Sequence, residues 1–191
     1  EDIYLALQGI EGIPRWVGRV GQGYAMEYIE SKPLDHFDKP PEGFFDRLRD
    51  LFDRIHQQGV AYVDSNKRSN ILVTKEGQPY LIDFQISLRR DKGHWPLRMI
   101  RNGLATYFTS KDIYHLYKHK RRMCPEQLTP EEKILSRRHG GLHWLHRKLS
   151  KLYRRVRRKS LQKQYEKGLL QSPTAELEDH YQPEKDTWRK K

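Results

Sequence analysis

The stretch from residue 44 to residue 83 limits the fold most, because it changes hydrophobic period partway along. Phe44, Phe45, Leu48, Leu51, Phe52 and Ile55 recur at helical spacing, and Gly59 stops the pattern. Beyond Gly59, residues 71–74 and 80–83 read as two short strands, with Lys75-Glu76-Gly77-Gln78-Pro79 as the hairpin turn between them. A striped helix next to a short hairpin points to an α+β fold. On the N-terminal side, residues 1–10 read as the end of a helix closed by Gly9. Residues 15–18 and 24–29 read as two strands joined by a turn at Gly21 and Gly23, and 31–43 as a proline-bearing connector. On the C-terminal side, helices are expected near 97–107 and 111–120. Thr129 is placed as an N-cap, with Glu132 at the capping-box position.

Three oxygen-bearing side chains fall where this pattern brings them together. Asp64 lies in the loop after the helix, Asn70 where that loop enters the first strand, and Asp83 at the end of the second. A tight hairpin sets Asn70 and Asp83 near the same end of the sheet, within reach of Asp64. Such oxygens suit Mg²⁺, which takes few protein ligands and leaves the rest to water and phosphate. Lys67 adds a positive charge of the kind that stabilises a transferring phosphoryl group. A metal site, a positioned base and a countercharge are the parts phosphoryl transfer needs.

The residues Ile55-His56-Gln57-Gln58-Gly59-Val60-Ala61-Tyr62-Val63-Asp64, then Lys67 to Asn70, then Asp83-Phe84-Gln85, resemble the protein-kinase superfamily. That family carries a catalytic loop written H-R-D-x-K-x-x-N and a metal-binding D-F-G. The resemblance implies that Asp64 is the catalytic base, Lys67 the loop lysine, Asn70 and Asp83 the Mg²⁺ ligands, and Leu72 the apolar floor under adenine. Ala25-Met26-Glu27-Tyr28-Ile29 resembles the last strand of the small lobe and the hinge. It implies a gatekeeper at Met26 and adenine-binding backbone at Glu27, Tyr28 and Ile29. Readable likeness covers roughly the first 90 residues.

The departures are specific. Tyr62-Val63 stands for His-Arg, one extra residue separates Asp64 from Lys67, and Gln85 replaces the glycine of D-F-G. No Ala-Pro-Glu signature follows. These features are similar to atypical kinases, such as the RIO type and the bacterial lipopolysaccharide-core sugar kinases. They imply that control by activation-loop phosphorylation is absent. No glycine-rich phosphate loop or strand lysine precedes the hinge, so most of the N-terminal lobe is expected to be missing from this sequence and to belong to a longer parent.

Charge is local. The net charge is +12, and residues 137–163 carry eleven Lys and Arg with no acid. Within them Leu142, Leu145, Leu149, Leu152 and Val156 form an apolar stripe, flanked by Trp144 and Tyr153. One reading of 142–163 is a helix docked on the core with a solvated basic face. The other is an anionic partner, with a membrane surface placed ahead of nucleic acid. Residues from 164 on read as a disordered tail. Cys124 is the one cysteine, which excludes an intrachain disulfide framework and fits a cytoplasmic address. Attachment to the inner face of a membrane goes with the first of the anionic partners. His115 and His119 stand at i, i+4, a metal-capable spacing, but no third ligand is in view.

The sequence thus leads to a mostly helical kinase-like C-lobe with a small β-sheet at the hinge and catalytic loop. Residues 1–29 are the remnant of the N-lobe and hinge, and 30–136 the lobe proper. The expected activity is transfer of the γ-phosphoryl group of ATP, with Mg²⁺, to a hydroxyl acceptor whose identity stays open. The alternative is an inactive, pseudokinase-type scaffold held on an anionic surface by its basic helix.

Overall fold

The computed structural model describes residues 2–21, 23–90, 95 and 97–137. The basic segment 142–163 and the tail from 164 lie outside the described residues. Four α-helices are described: α1 (Asp2–Ala6), α2 (Phe44–Gln57), α3 (Leu97–Met123) and α4 (Pro130–Leu135). Seven short strands accompany them: β1 (Trp16–Val20), β2 (Gly23–Met26), β3 (Ser31–Pro33), β4 (Val60–Ala61), β5 (Ile71–Thr74), β6 (Pro79–Leu81) and β7 (Leu88–Arg89). They make three small antiparallel sheets, β1-β2, β3-β5-β6 and β4-β7, so the fold is α+β.

The stripe on α2 organises the core. All six of its apolar residues are buried in one cluster with Ile71, Val73 and Leu81 of the three-stranded sheet, Leu34 of the turn after β3 and Leu116 of α3. The N-terminal turn closes over the same core. The Gly12 carbonyl accepts from the Leu81 N–H at 2.9 Å. Gly12 has φ +97°, and a Cβ there would stand 2.7 Å from Leu51 Cδ2 and 2.8 Å from the Pro79 carbonyl. Only glycine meets both demands.

Three details differ from the sequence reading. The connector 31–43 is not wholly irregular: β3 pairs with β5, with Pro33 opposite Leu72, which makes the hairpin a three-stranded sheet. The two helices expected near 97–107 and 111–120 are one helix. Thr109 and Ser110, poor helix formers in sequence, return their hydroxyls to the carbonyls of Thr106 and Tyr107 at 2.8 and 2.6 Å. This internal bonding lets the helix run on. Finally, β6 ends at Leu81, which frees Ile82 and Asp83 from the ladder. The expected capping box forms, with Thr129 Oγ1 accepting from Glu132 N and Glu132 Oε2 from Thr129 N.

Buried Lys120 ties three helices together. Its Nζ meets Glu132 at 2.8 Å and Asp46 at 3.2 Å. Burial pulls this ammonium's pKa down, but the two carboxylates outweigh it and hold the group above its usual value. Among the described residues no helix is long and apolar enough to cross a membrane.

Candidate functional site

The loop from α2 to β5 is shaped from below by one buried carboxylate. Asp112, in the middle of α3, is fully buried. Its Oδ2 accepts from Tyr62 N at 2.8 Å and sits 3.1 Å from His56 Nε2, while its Oδ1 accepts from Val63 N at 3.0 Å. Between these anchors the chain makes a three-residue turn. Asp64 N–H donates to the Tyr62 carbonyl at 2.9 Å, and Val63 between them has φ +71°. Such a γ-turn is rare and strained, the more so at a β-branched residue. The buried bonds to Asp112 are what hold it, and the result is a fixed aim for Asp64. His56, near the end of α2, is bound to the same buried carboxylate as the loop amides.

Two more turns follow, Lys67 N to the Asp64 carbonyl at 3.0 Å and Asn70 N to the Lys67 carbonyl at 3.3 Å. They bring three of the expected residues into direct contact. Asp64 Oδ2 accepts from Asn70 Nδ2 at 3.0 Å and meets Lys67 Nζ at 2.8 Å. Both contacts fall on Oδ2, so Oδ1 is the oxygen available to a hydroxyl. Burial raises the Asp64 pKa above its usual value. The Lys67 bond and charge oppose the shift, the charge of Asp83 adds to it, and the Asn70 bond opposes it. An elevated carboxylate pKa suits a proton acceptor.

Asp83 reaches the same place through Tyr62. The Tyr62 hydroxyl donates to the Ile82 carbonyl, and Ile82 N–H donates to the Asn70 carbonyl at 3.1 Å. The residue just before Asp83 is thus pinned to the loop at both backbone groups. Asp83 itself has φ +61°, uncommon outside glycine. Phe84, next in sequence, is buried edge-on against Tyr62 and Tyr4, with centroids 4.9 and 5.1 Å away. Burial drives the Tyr62 phenol well above its usual pKa, and Asp64 and Asp83 add to the shift. Tyr4 is pushed up to about 12, by burial first and then by Tyr24, with the backbone of Phe84 and Asp83 pulling the other way.

Asn70 gives its amide nitrogen to Asp64, which leaves its side-chain oxygen for a cation alongside Asp83. Among the described residues no group of three His, Cys, Asp or Glu is placed to hold a metal. The residues expected to hold Mg²⁺, Asn70 and Asp83, would offer it one amide oxygen and one carboxylate, within the sparse protein ligation that ion takes. The proximity of Asp64 and Asp83 is a like-charge cost that a cation relieves. The His115 and His119 spacing has another use: His119 Nε2 lies 3.0 Å from the Ser65 carbonyl.

The side expected to take a nucleotide is less enclosed. Met26 ends β2 half-buried, opposite Trp16. Glu27 N–H is already given to the Arg15 carbonyl at 2.9 Å, and Glu27 Oε2 accepts from Arg15 N at 3.1 Å. Of the expected adenine contacts, the Glu27 carbonyl and the backbone of Tyr28 remain, while the Ile29 carbonyl accepts from Ser31 Oγ at 3.0 Å. Leu72 is half-buried between Pro33 and Tyr80, on the face of β5 opposite the core residues Ile71 and Val73.

No protein-family model matches this chain, and no curated protein matches it. Sequence reasoning missed Asp112 and the role of Tyr62. Asp112 did leave a signal: it is the one acidic residue in α3, a helix that carries seven Lys and Arg.

Proposed function

We propose that residues 30–136 are the C-terminal lobe of a kinase-like phosphotransferase, with residues 1–29 the remnant of its small lobe and hinge. The observation that carries this reading is the strained turn at Val63. Buried bonds to Asp112 hold it, and it delivers Asp64 to Asn70 and Lys67 beside Asp83. Backbone strain persists only where surrounding structure over-determines it, and it gathers at functional sites. Neither a solvated turn nor a packing role requires this arrangement.

In this reading an acceptor hydroxyl lies at Asp64 Oδ1. Its oxygen bonds to the γ-phosphorus of ATP as the bond to the bridging oxygen breaks, ADP leaves, and the hydroxyl proton passes to Asp64. Lys67 offsets charge on the transferring group. Mg²⁺, held by Asn70 and Asp83, supplies charge neutralisation at the phosphates. Met26, Glu27 and Ile29 border the base, and Leu72 lies under it.

The test is thermal unfolding with and without Mg²⁺ and ATP, repeated on Asp83→Ala. Ligand at about a hundred times its dissociation constant adds roughly 2.7 kcal/mol, a rise in midpoint of about 5–11 °C at this chain length. A rise that requires Mg²⁺ and disappears in Asp83→Ala is expected. Magnesium-independent stabilisation that survives in the variant would refute the assignment of Asp83. A second reading, a non-catalytic scaffold, is favoured by the Lys67–Asp64 ion pair, which already engages the base. Turnover that is lost in Asp64→Ala decides for the enzyme, and nucleotide binding without turnover decides for the scaffold.

A further inference from the structure

The apolar residues of α3 change sides along its length. In the C-terminal half Leu116, Tyr117 and Met123 are buried in the core. In the N-terminal half Ala105 is buried, but Met99 and Ile100 are each 60% exposed and Leu104 is 46% exposed. At about 100° per residue, Met99, Ile100, Gly103, Leu104 and Tyr107 share one face of the helix. That face is turned away from the side on which Ala105 and Asp112 are buried. Arg98 and Arg101 are exposed as well, so residues 98–101 make a full turn with no buried side. Trp95, also exposed, donates its indole N–H to the Met99 sulfur, which holds the ring beside the same residues.

The charge around this face has one sign. Between Asp91 and Asp112 the sequence holds four Lys and Arg and no acid. Asp112 itself is fully buried and committed to the loop amides. Lys111 Nζ lies 5.1 Å from the centre of the Tyr107 ring, which sets its charge at the border of the apolar face. Arg98 stands in the first turn of α3, where no acid occurs and where a cation opposes the helix dipole. Neither the exposed apolar side chains nor this placement of charge stabilises the free fold, and a contiguous exposed apolar face marks an interaction surface. Two copies of a basic face repel each other, whereas an anionic surface attracts it. Trp, Met, Ile and Leu bordered by Arg and Lys are the makeup of a helix that lies in a membrane interface. The apolar chains enter the acyl boundary and the cations stay at the phosphates. A fluid bilayer also takes up a turn exposed on every side without a groove shaped to match it.

We propose that the N-terminal half of α3, together with Trp95, is a docking surface for an anionic lipid bilayer. The proposal stands apart from the phosphotransferase reading and uses none of the residues assigned there. It is also distinct from the basic segment 142–163, so its test is aimed at α3 alone.

The full chain is mixed with vesicles of phosphatidylcholine and with vesicles of phosphatidylcholine and phosphatidylglycerol, and bound protein is measured by co-sedimentation. Binding to the anionic vesicles alone is expected. Ile100→Ser combined with Leu104→Ser should weaken it by about tenfold or more and leave the unfolding midpoint unchanged. Lipids with brominated acyl chains should quench a share of the tryptophan fluorescence that is missing in Trp95→Phe. Undiminished binding by the serine variant, or undiminished quenching in Trp95→Phe, assigns the attachment to other residues and overturns the proposal. So does a failure to bind anionic vesicles. In that event a concentration-dependent dimer that Leu104→Ser disperses gives the face to a second copy of the chain, and retention on polyglutamate gives it to an acidic protein.

Discussion

Asp64 and Met26 belong to one candidate site, yet the protein holds them by different means. The loop around Asp64 is bonded to α3 through Asp112 and His119, to the segment after β6 through Tyr62, and to Ser87, whose hydroxyl donates to the Tyr62 carbonyl at 2.9 Å. Met26 ends a two-stranded ribbon whose Val17 and Val20 are 61% and 68% exposed. What anchors that ribbon is mainly aromatic: Tyr4 of α1 against Tyr24 at 6.2 Å and against Trp16 at 6.4 Å. A two-stranded ribbon is marginal alone. The loop that carries Asp64 is over-determined by long-range bonds, whereas the ribbon that carries Met26 depends on a few ring contacts.

The comparison can be broken most directly at Asp112. Asp112→Ala strands two backbone donors and the His56 ring, and is expected to cost about 3–5 kcal/mol. Stabilisation by Mg²⁺ and ATP should vanish with it. A loss below about 1 kcal/mol in urea unfolding would mean that the hairpin alone positions the loop.

Acid should loosen the same region through His119. Its folded pKa of about 4 lies below the ordinary value of 6.5, so the fold favours the neutral ring. That contribution is complete above about pH 6.5 and is lost as pH falls through 4, on the order of 3 kcal/mol in all. His119→Gln keeps a donor for Ser65 and does not titrate. Its stability, compared with the parent's at pH 7 and pH 4, should lack this loss.

Tyr62→Phe leaves the Ile82 carbonyl without its phenol donor, a cost of about 2 kcal/mol. The variant should weaken magnesium-dependent nucleotide binding through Asp83, and unaltered binding would show that β6 places Asp83 unaided. Val63→Asn sharpens the contrast in the other direction. Asn tolerates φ above zero, so a gain of about 1 kcal/mol is expected at the strained turn, and a loss would mean that the valine side chain matters more than its backbone. The smallest effect belongs to the ribbon: Val17→Thr and Val20→Thr should each change stability by less than about 0.5 kcal/mol. A larger fall would place the ribbon in the same cooperative structure as the loop.

The chain's local chemistry was enough to locate α2, β5, the turn before β6 and the grouping of Asp64, Lys67, Asn70 and Asp83. Periodicity, glycine stops and turn residues act over a few positions, and a short hairpin brings its two ends together whatever surrounds it. Less was legible where local and distant forces disagree. Thr109 and Ser110 look like a break, yet α3 continues through them. Ser31–Pro33 looks like a linker, yet it pairs with β5. Val60 and Ala61 find β7 nearly thirty residues on. Asp112 acts on residues 50 positions earlier, and His119 on one 54 earlier. No short pattern encodes such pairs. They exist because burying the helix faces brought polar groups together that had to be satisfied, and only the tertiary structure decides which carboxylate or ring meets which amide or carbonyl.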